Sequence, residues 1–246
     1  MAKSSKGIVN RAIVIPDQHF PIHDEKAVKV TLKAIKKIKP NIFVNLGDVG
    51  EWASASRHYW KNKEKPALED KLAVIDKDIK AVNNQIDRFD KVLDEVKCKE
   101  RYICAGNHDE WLDSFVIKHP YLPQYTFKKA CRWEERGYKY FPYNYELKIG
   151  KVNFIHGAYA TQLHSKKHLS EYKENIVYGH THDIQRYTGC LKDMSKKKNR
   201  WLNGRLVNWN HAFGIVDWFS NGNFKLEIVE IIKGKTTLWG ELIDGS

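Results

Sequence analysis

Five short polar clusters carry the side chains of this chain that suit metal and phosphate chemistry. They are Asp17-Gln18-His19, Gly47-Asp48, Gly106-Asn107-His108-Asp109, Phe154-Ile155-His156-Gly157 and Gly179-His180-Thr181-His182. Carboxylate, imidazole and amide-oxygen donors together suit borderline divalent ions such as Mn2+, Fe2+ or Zn2+, whereas all-oxygen sets suit Mg2+ or Ca2+. Asp17 and His19, like His180 and His182, are two residues apart, which turns both side chains of an extended segment to one side. Any one of these residues is equally well read as a satisfied core histidine or a helix cap. The set is not, because each cluster follows an apolar run.

Those runs define the elements that must position the clusters. Ala12-Ile13-Val14-Ile15 and Ile42-Phe43-Val44-Asn45-Leu46 read as buried strands, stopped by Pro16-Asp17 and Gly47-Asp48. Between them Asp24 can cap a helix with apolar positions Ala27, Val30, Ala34, Ile35 and Ile38, ending before Pro40. Strand, helix, strand over this length is a βαβ unit, so parallel pairing is expected. From Pro66 to about Val96 the 3.6 period returns, with Leu68, Leu72, Ile75, Ile79, Val82, Ile86, Phe89 and Leu93 on one stripe. Arg101 to Ala105 forms a third strand. The chain beyond Ser114 is aromatic-rich and irregular to about Pro142, and strands follow at Tyr145–Ile149, Val152–His156, Asn175–Tyr178, Phe213–Phe219 and Lys225–Ile232. In open α/β sheets the functional crevice lies beyond the carboxyl ends of strands, so five loops leaving one edge can meet. One domain is expected over residues 1–246, with 1–10 a flexible tail, 66–97 a packing helix and 192–205 a basic loop.

In this order the clusters resemble the calcineurin-like metallophosphoesterases, whose pattern is D-x-H, G-D-x-x-[D/E], G-N-H-[D/E], a lone H and G-H-x-H. The match runs from near residue 11 to residue 182. The resemblance implies an α/β fold, a two-sheet βαβ sandwich flanked by helices in four layers. It also implies two divalent ions, Mn2+ first, with Fe2+, Zn2+, Ni2+ or Mg2+ compatible. One would be held by Asp17, His19, Asp48 and His182, the other by Asp48, Asn107, His156 and His180, with Asp48 bridging. Two such ions ~3.5–4 Å apart clamp a phosphoryl group, and a metal-activated hydroxide attacks phosphorus in line. His108 matches the family's non-ligand histidine, a candidate for protonating the leaving group or stabilising the transition state, and Glu51 stands where the family often places its carboxylate partner. Asp109 joins this catalytic group or else fixes the loop and its ligands.

One departure bears on substrate. Protein Ser/Thr phosphatases of the superfamily have a phosphate-binding Arg directly after that carboxylate, and here Trp52 stands there. Arg57 lies close enough in sequence to take over phosphate contact, or else is an ordinary surface arginine; Trp52, Tyr59 and Trp60 either form an aromatic wall on which a base stacks or close the core beside a helix. His164 and His168, four apart with no carboxylate framing them, read as surface or cleft-rim residues. The run Lys192 to Arg205, basic and carrying Trp201, is either a solvated loop or a backbone-tracking groove. The stretch Asn208 to Gly214 is similar to small phage- and bacteria-associated members of the superfamily.

The bulk numbers set the frame. Lys and Arg number 42 against 30 acids, a formal charge of +12, which favours anionic substrates including single- or double-stranded nucleic acid. No run approaches the ~18 apolar residues of a membrane span, and no secretory signal precedes the first strand, so a cytoplasmic protein without a membrane partner is expected. The four cysteines lack CxxC spacing and read as reduced thiols. The leading expectation is hydrolysis of a phosphodiester in nucleic acid or a nucleotide. The alternatives are a phosphomonoesterase acting on a small molecule or phosphoprotein, and a non-catalytic nucleic-acid-binding protein on the same fold, against which the intact ligand set argues.

Overall fold

A computed structural model of the chain describes residues 8–57, 59–61, 63–186 and 211–246. β1 (Ile8–Ile15), α1 (Glu25–Ile38) and β2 (Ile42–Asn45) make the first βαβ unit, with β1 and β2 parallel and Ala12 opposite Ile42. The Asp24 carboxylate accepts the amides of Lys26 and Ala27 at 2.8 and 3.0 Å, satisfying two donors that the first turn of α1 leaves without partners. The chain continues through α2 (Leu68–Glu95), β3 (Glu100–Cys104), α3 (Glu110–Lys118), a 3-10 turn at Pro123–Tyr125, α4 (Phe127–Ala130) and β4 (Tyr138–Phe141). A hairpin of β5 (Leu147–Ile149) and β6 (Val152–Ile155) precedes α5 (His164–Tyr172) and β7 (Ile176–Tyr178). A second hairpin, β8 (His211–Phe219) and β9 (Phe224–Ile231), is followed by a third, β10 (Lys235–Leu238) and β11 (Glu241–Asp244).

Two of the sheets carry the site. The larger has the order β4-β3-β2-β1-β8-β9, parallel from β4 to β1 and antiparallel through β8 and β9; the smaller has the order β5-β6-β7. Alternation sends Ala12 and Val14 to one face of β1 and Ile13 and Ile15 to the other. The first pair joins Val44, Cys104, Phe154 and Val216 in an apolar layer between the sheets. The second pair joins Phe43 and Ile103 beneath Ile35 of α1 and Ile75, Val82 and Phe89 of α2. Burial on both faces explains why these strands read as continuous apolar runs. α5 packs on β7, and the whole is the expected α/β sandwich.

Three expectations are corrected. The segment read as irregular between Ser114 and Pro142 contains the end of α3, then α4 and β4, elements of four to nine residues whose periodicity is too short to stand out. β1 begins at Ile8, inside the expected tail, because its amino end pairs with β8 near Phe219. Trp52 does not form an aromatic wall. It is 1% exposed, its ring lies 6.3 Å from that of Phe127, and its indole N–H donates to Asp109 Oδ1 at 2.9 Å. A buried acceptor for the indole proton lets the whole ring leave water. The basic run 192–205 and Asn208 to Asn210 lie outside the described residues. Trp52→Ala is expected to destabilise the protein by about 3–5 kcal/mol, the range for truncating a buried aromatic, read from the urea midpoint. A loss below about 1 kcal/mol would contradict this placement of the ring.

Candidate metal centre

The five clusters sit directly after β1, β2, β3, β6 and β7, and the loops are tied to one another. The Asp17 amide donates to Gly47 O at 3.0 Å, the His19 amide to Asp48 O at 2.9 Å, and the His180 amide to Asp17 Oδ2 at 2.9 Å. Left-handed φ angles concentrate here: Asp17 50°, His19 47°, Asp48 49°, Trp52 46°, His180 73° and His182 54°. Such angles are costly for residues with a Cβ, and they persist where surrounding contacts over-determine them, as at functional sites. Two glycines are required by close approach. A Cβ on Gly106 would lie 2.1 Å from Asp48 Oδ1, and one on Gly179 would lie 2.5 Å from Asp17 Oδ2.

Among the described residues three groups of donor atoms result; Asp48 belongs to two of them, and the third is His19, Glu51 and His108. Asp17, His19, Asp48 and His182 bring one ligand atom each within 4.8 Å of the others, as do Asp48, His156 and His180. Asn107 completes the second group, with Oδ1 2.9 Å from His156 Nε2 and 2.8 Å from His180 Nδ1. The hydrogen bonds on the far side of each ring fix what faces inward. His156 Nδ1 donates to Leu46 O at 2.9 Å, so in the neutral ring Nε2 presents a lone pair, 3.3 Å from Asp48 Oδ2 and 3.3 Å from His180 Nδ1. His19 Nδ1 meets Glu51 Oε2 at 2.9 Å, turning its Nε2 toward His182 Nε2 at 3.1 Å. Lone pairs on nitrogen and oxygen thus converge where only a proton or a cation can reconcile them. An outer carbonyl or carboxylate that orients the ring is how metal-binding histidines are held. The donor set fits divalent ions.

Burial and mutual charge set the protonation of this cluster. Burial raises the Asp17 carboxyl to about 6, although the nearby His156 opposes it. Burial also works against charge on Asp48 and His156, but their ion pair prevails, holding the carboxylate low and the imidazole high. Burial brings His180 and His182 down to about 4, leaving them neutral and ready to bind metal at neutral pH.

Around the donors sit the other residues expected from sequence. His108 Nδ1 lies 3.4 Å from Glu51 Oε2, and its amide donates to Asp48 Oδ1 at 2.8 Å. Burial lowers the His108 pKa, yet Glu51 and Asp48 outweigh it and the net direction is up. Glu51 itself is held near 2: burial opposes its charge, and hydrogen bonds from His108 and His19 overcome that. Asp109 is corrected as a catalytic group. Fully buried, its carboxylate accepts the amides of Gly106 at 2.9 Å and Val49 at 3.2 Å as well as the Trp52 indole, so it clamps the loops after β2 and β3 together. Arg57 is exposed and lines a groove beside Asn107.

His164 and His168 are not surface residues, being 4% and 0% exposed, although His164 does line the cavity that holds Asp17, His19 and His182. His164 Nδ1 meets the Tyr178 hydroxyl at 2.6 Å, and the His168 ring stacks on Tyr178 at 3.7 Å. They brace the end of β7 just before His180. Sequence reasoning missed Leu46 O, a backbone atom with no signature. It also missed Trp111, whose ring lies 4.0 Å from that of His108 and whose only sequence signal is its place three residues on.

Two cavities flank the centre. One, about 440 Å3, is lined by Asp17, His19 and His182 with Ile22, Phe213 and Ile228; the other, about 850 Å3, reaches Asn107 from the side of α3. Because Asp17 and His156 hold protons that an ion must displace, metal affinity is expected to rise as pH climbs from about 6 to about 9. Titration calorimetry in buffers of different ionisation heat should register proton release at pH 7. Affinity that stays flat across this interval would contradict the arrangement.

The comparisons with known proteins agree with this geometry. The family model described as calcineurin-like phosphoesterase matches residues 11–231. The Gene 54 protein of Mycobacterium phage D29 is 23% identical over 94% of this chain and 98% of its own length. The Gene 54 protein of Mycobacterium phage L5 is 22% identical over the same shares. A solved Vps29 single mutant from Entamoeba histolytica overlaps 90% of this chain and 99% of its own at 12% identity and a TM-score of 0.39, too distant to add to the argument. The family generally comprises metal-dependent phosphoesterases that bind two divalent ions. With the ordered motifs, the shared Asp48 and the span of that match in hand, the chain belongs to the calcineurin-like phosphoesterase family.

Proposed function

We propose that the protein is a dinuclear-metal phosphodiesterase acting on nucleic acid or a nucleotide. The observation that carries this reading is the sharing of Asp48 between two groups of inward-facing donors. In it Asp17, His19, Asp48 and His182 hold one ion and Asp48, Asn107, His156 and His180 the other. When bound, the ions supply Lewis acidity that activates water near neutral pH and offsets charge on the phosphoryl oxygens.

The chain's own residues do the rest. Glu51 holds His108 through Nδ1, which leaves Nε2 to give a proton to the departing oxygen. Glu51 and Asp48 shift the His108 pKa upward, the direction that favours a general acid. Leu46 O and Glu51 fix the rings of His156 and His19, so the donors need no rearrangement. Support for a diester over a phosphoprotein comes from position 52, where a buried Trp replaces the phosphate-binding Arg of the protein phosphatases, and from the charge of +12.

With Mn2+ the protein is expected to hydrolyse bis(p-nitrophenyl) phosphate faster than p-nitrophenyl phosphate, and Asp48→Asn should abolish both activities. His108→Asn should lower kcat by roughly 10²–10⁴ on a diester with a poor leaving group and much less on the p-nitrophenyl ester, whose oxygen needs no proton. Absence of metal-dependent turnover on any phosphoester would overturn the reading. A preference for the monoester would overturn its diester part.

A further inference from the structure

The groove that reaches Asn107 from the side of α3 differs in character from the metal centre. Its cationic lining residues, Arg57, Lys65, Lys71 and Lys118, come from the loop after β2, the first turn of α2 and the end of α3. Glu110 is the sole acid on its lining, and its carboxylate already accepts from the Ser114 hydroxyl at 3.2 Å. Elsewhere several lysines pair with carboxylates, as Lys36 does with Glu95 and Lys148 with Glu174. No such pair involves Arg57, Lys65, Lys71 or Lys118 among the described residues.

The lysines are also close together. Burial and the like charges of Lys118 and Lys65 pull the Lys71 ammonium below the ordinary lysine range. Gathering like charges around a cavity without neutralising them raises the energy of the free protein. An anion entering the groove relieves that cost, and the spread of cations over three segments calls for several anionic groups rather than one.

Aromatic faces lie among these cations. Trp60 and Trp111 line the groove, both partly buried. Trp60 is fixed by its indole N–H donating to Ser54 O at 2.8 Å. Trp111 packs against His108, so one residue of the groove wall also touches the metal centre. A rail of cations beside planar rings is the arrangement that holds single-stranded nucleic acid, with phosphates on the rail and bases on the rings.

We infer that the groove between α2 and α3 binds the segment of a single-stranded nucleic acid next to the scissile phosphodiester, with Lys65, Lys71 and Lys118 on its phosphates and Trp60 and Trp111 against its bases. This rests on the phosphodiesterase reading and adds a substrate class to it. A mononucleotide would engage the centre without filling the groove, whereas an oligonucleotide engages both.

The test uses the full chain and a fluorescein-labelled single-stranded DNA oligomer, with binding followed by anisotropy over a salt series. Wild-type binding should weaken steeply with salt. The Lys65→Ala/Lys71→Ala/Lys118→Ala variant should lose about 2 from the slope of log K against log salt, since each phosphate contact on a single strand contributes about 0.7. A control with the same charge change, Lys148→Ala/Lys151→Ala/Lys225→Ala, should keep the wild-type slope. Trp60→Leu should weaken binding roughly tenfold at fixed salt, as loss of one stacked base does. The melting temperature of each variant confirms that it is folded. Equal losses in groove and control variants, a groove variant that binds like wild type, or no binding by the wild type would each overturn the inference. Turnover of bis(p-nitrophenyl) phosphate, which does not span the groove, is read separately; its absence indicts the phosphodiesterase reading instead.

Discussion

A buried carboxylate between two sets of histidine nitrogens is the constraint from which the rest of this structure follows. Asp48 is 2% exposed, and such a charge is tolerated only where partners compensate it. One oxygen accepts the His108 amide, and the other faces His156. The remaining donors point inward with their outer nitrogens already committed to Leu46 O and Glu51. Without ions the cluster survives by keeping a proton on His156 against Asp48. With ions, the same geometry becomes coordination. Folding the chain and preparing the site are therefore one process, and the left-handed backbone at Asp17, His19, Asp48, His180 and His182 is the strain that this shared requirement imposes.

The sandwich supplies what that centre needs. Strands buried on both faces end at one edge, so donors more than a hundred residues apart in sequence arrive from rigid elements rather than from free loops. Asp109 makes the rigidity local by gathering the amides of Gly106 and Val49 and the indole of Trp52 on one carboxylate. Trp52 thereby serves the site from behind. The position at which the protein phosphatases carry a phosphate-binding Arg is here a structural anchor.

Much of this was legible in the sequence, for identifiable reasons. The apolar runs of β1, β2, β3 and β6 and the cap and stripe of α1 carry strong local signals, and the polar clusters at strand ends follow from them. The donors were legible because each lies within a short motif. What was not legible depends on contacts between distant segments. The sequence of Trp52 is as compatible with an exposed stacking face as with a core ring, and only the buried Asp109 decides between them. His164 and His168 resemble surface residues until their contacts with Tyr178 are seen. α3 and β4 are too short for periodicity to mark them. The lysines of the groove lie up to 53 positions apart, from Lys65 to Lys118, and nothing in the chain order groups them.

The central claim is that Asp48 joins two ion sites into one. Metal content measured by inductively coupled plasma mass spectrometry, after equilibration with Mn2+ and removal of free metal, tests it most directly. The account predicts two ions per chain in the wild type and loss of both in Asp48→Asn, with the variant still folded. A single ion per wild-type chain, or two ions retained without the Asp48 carboxylate, would contradict it.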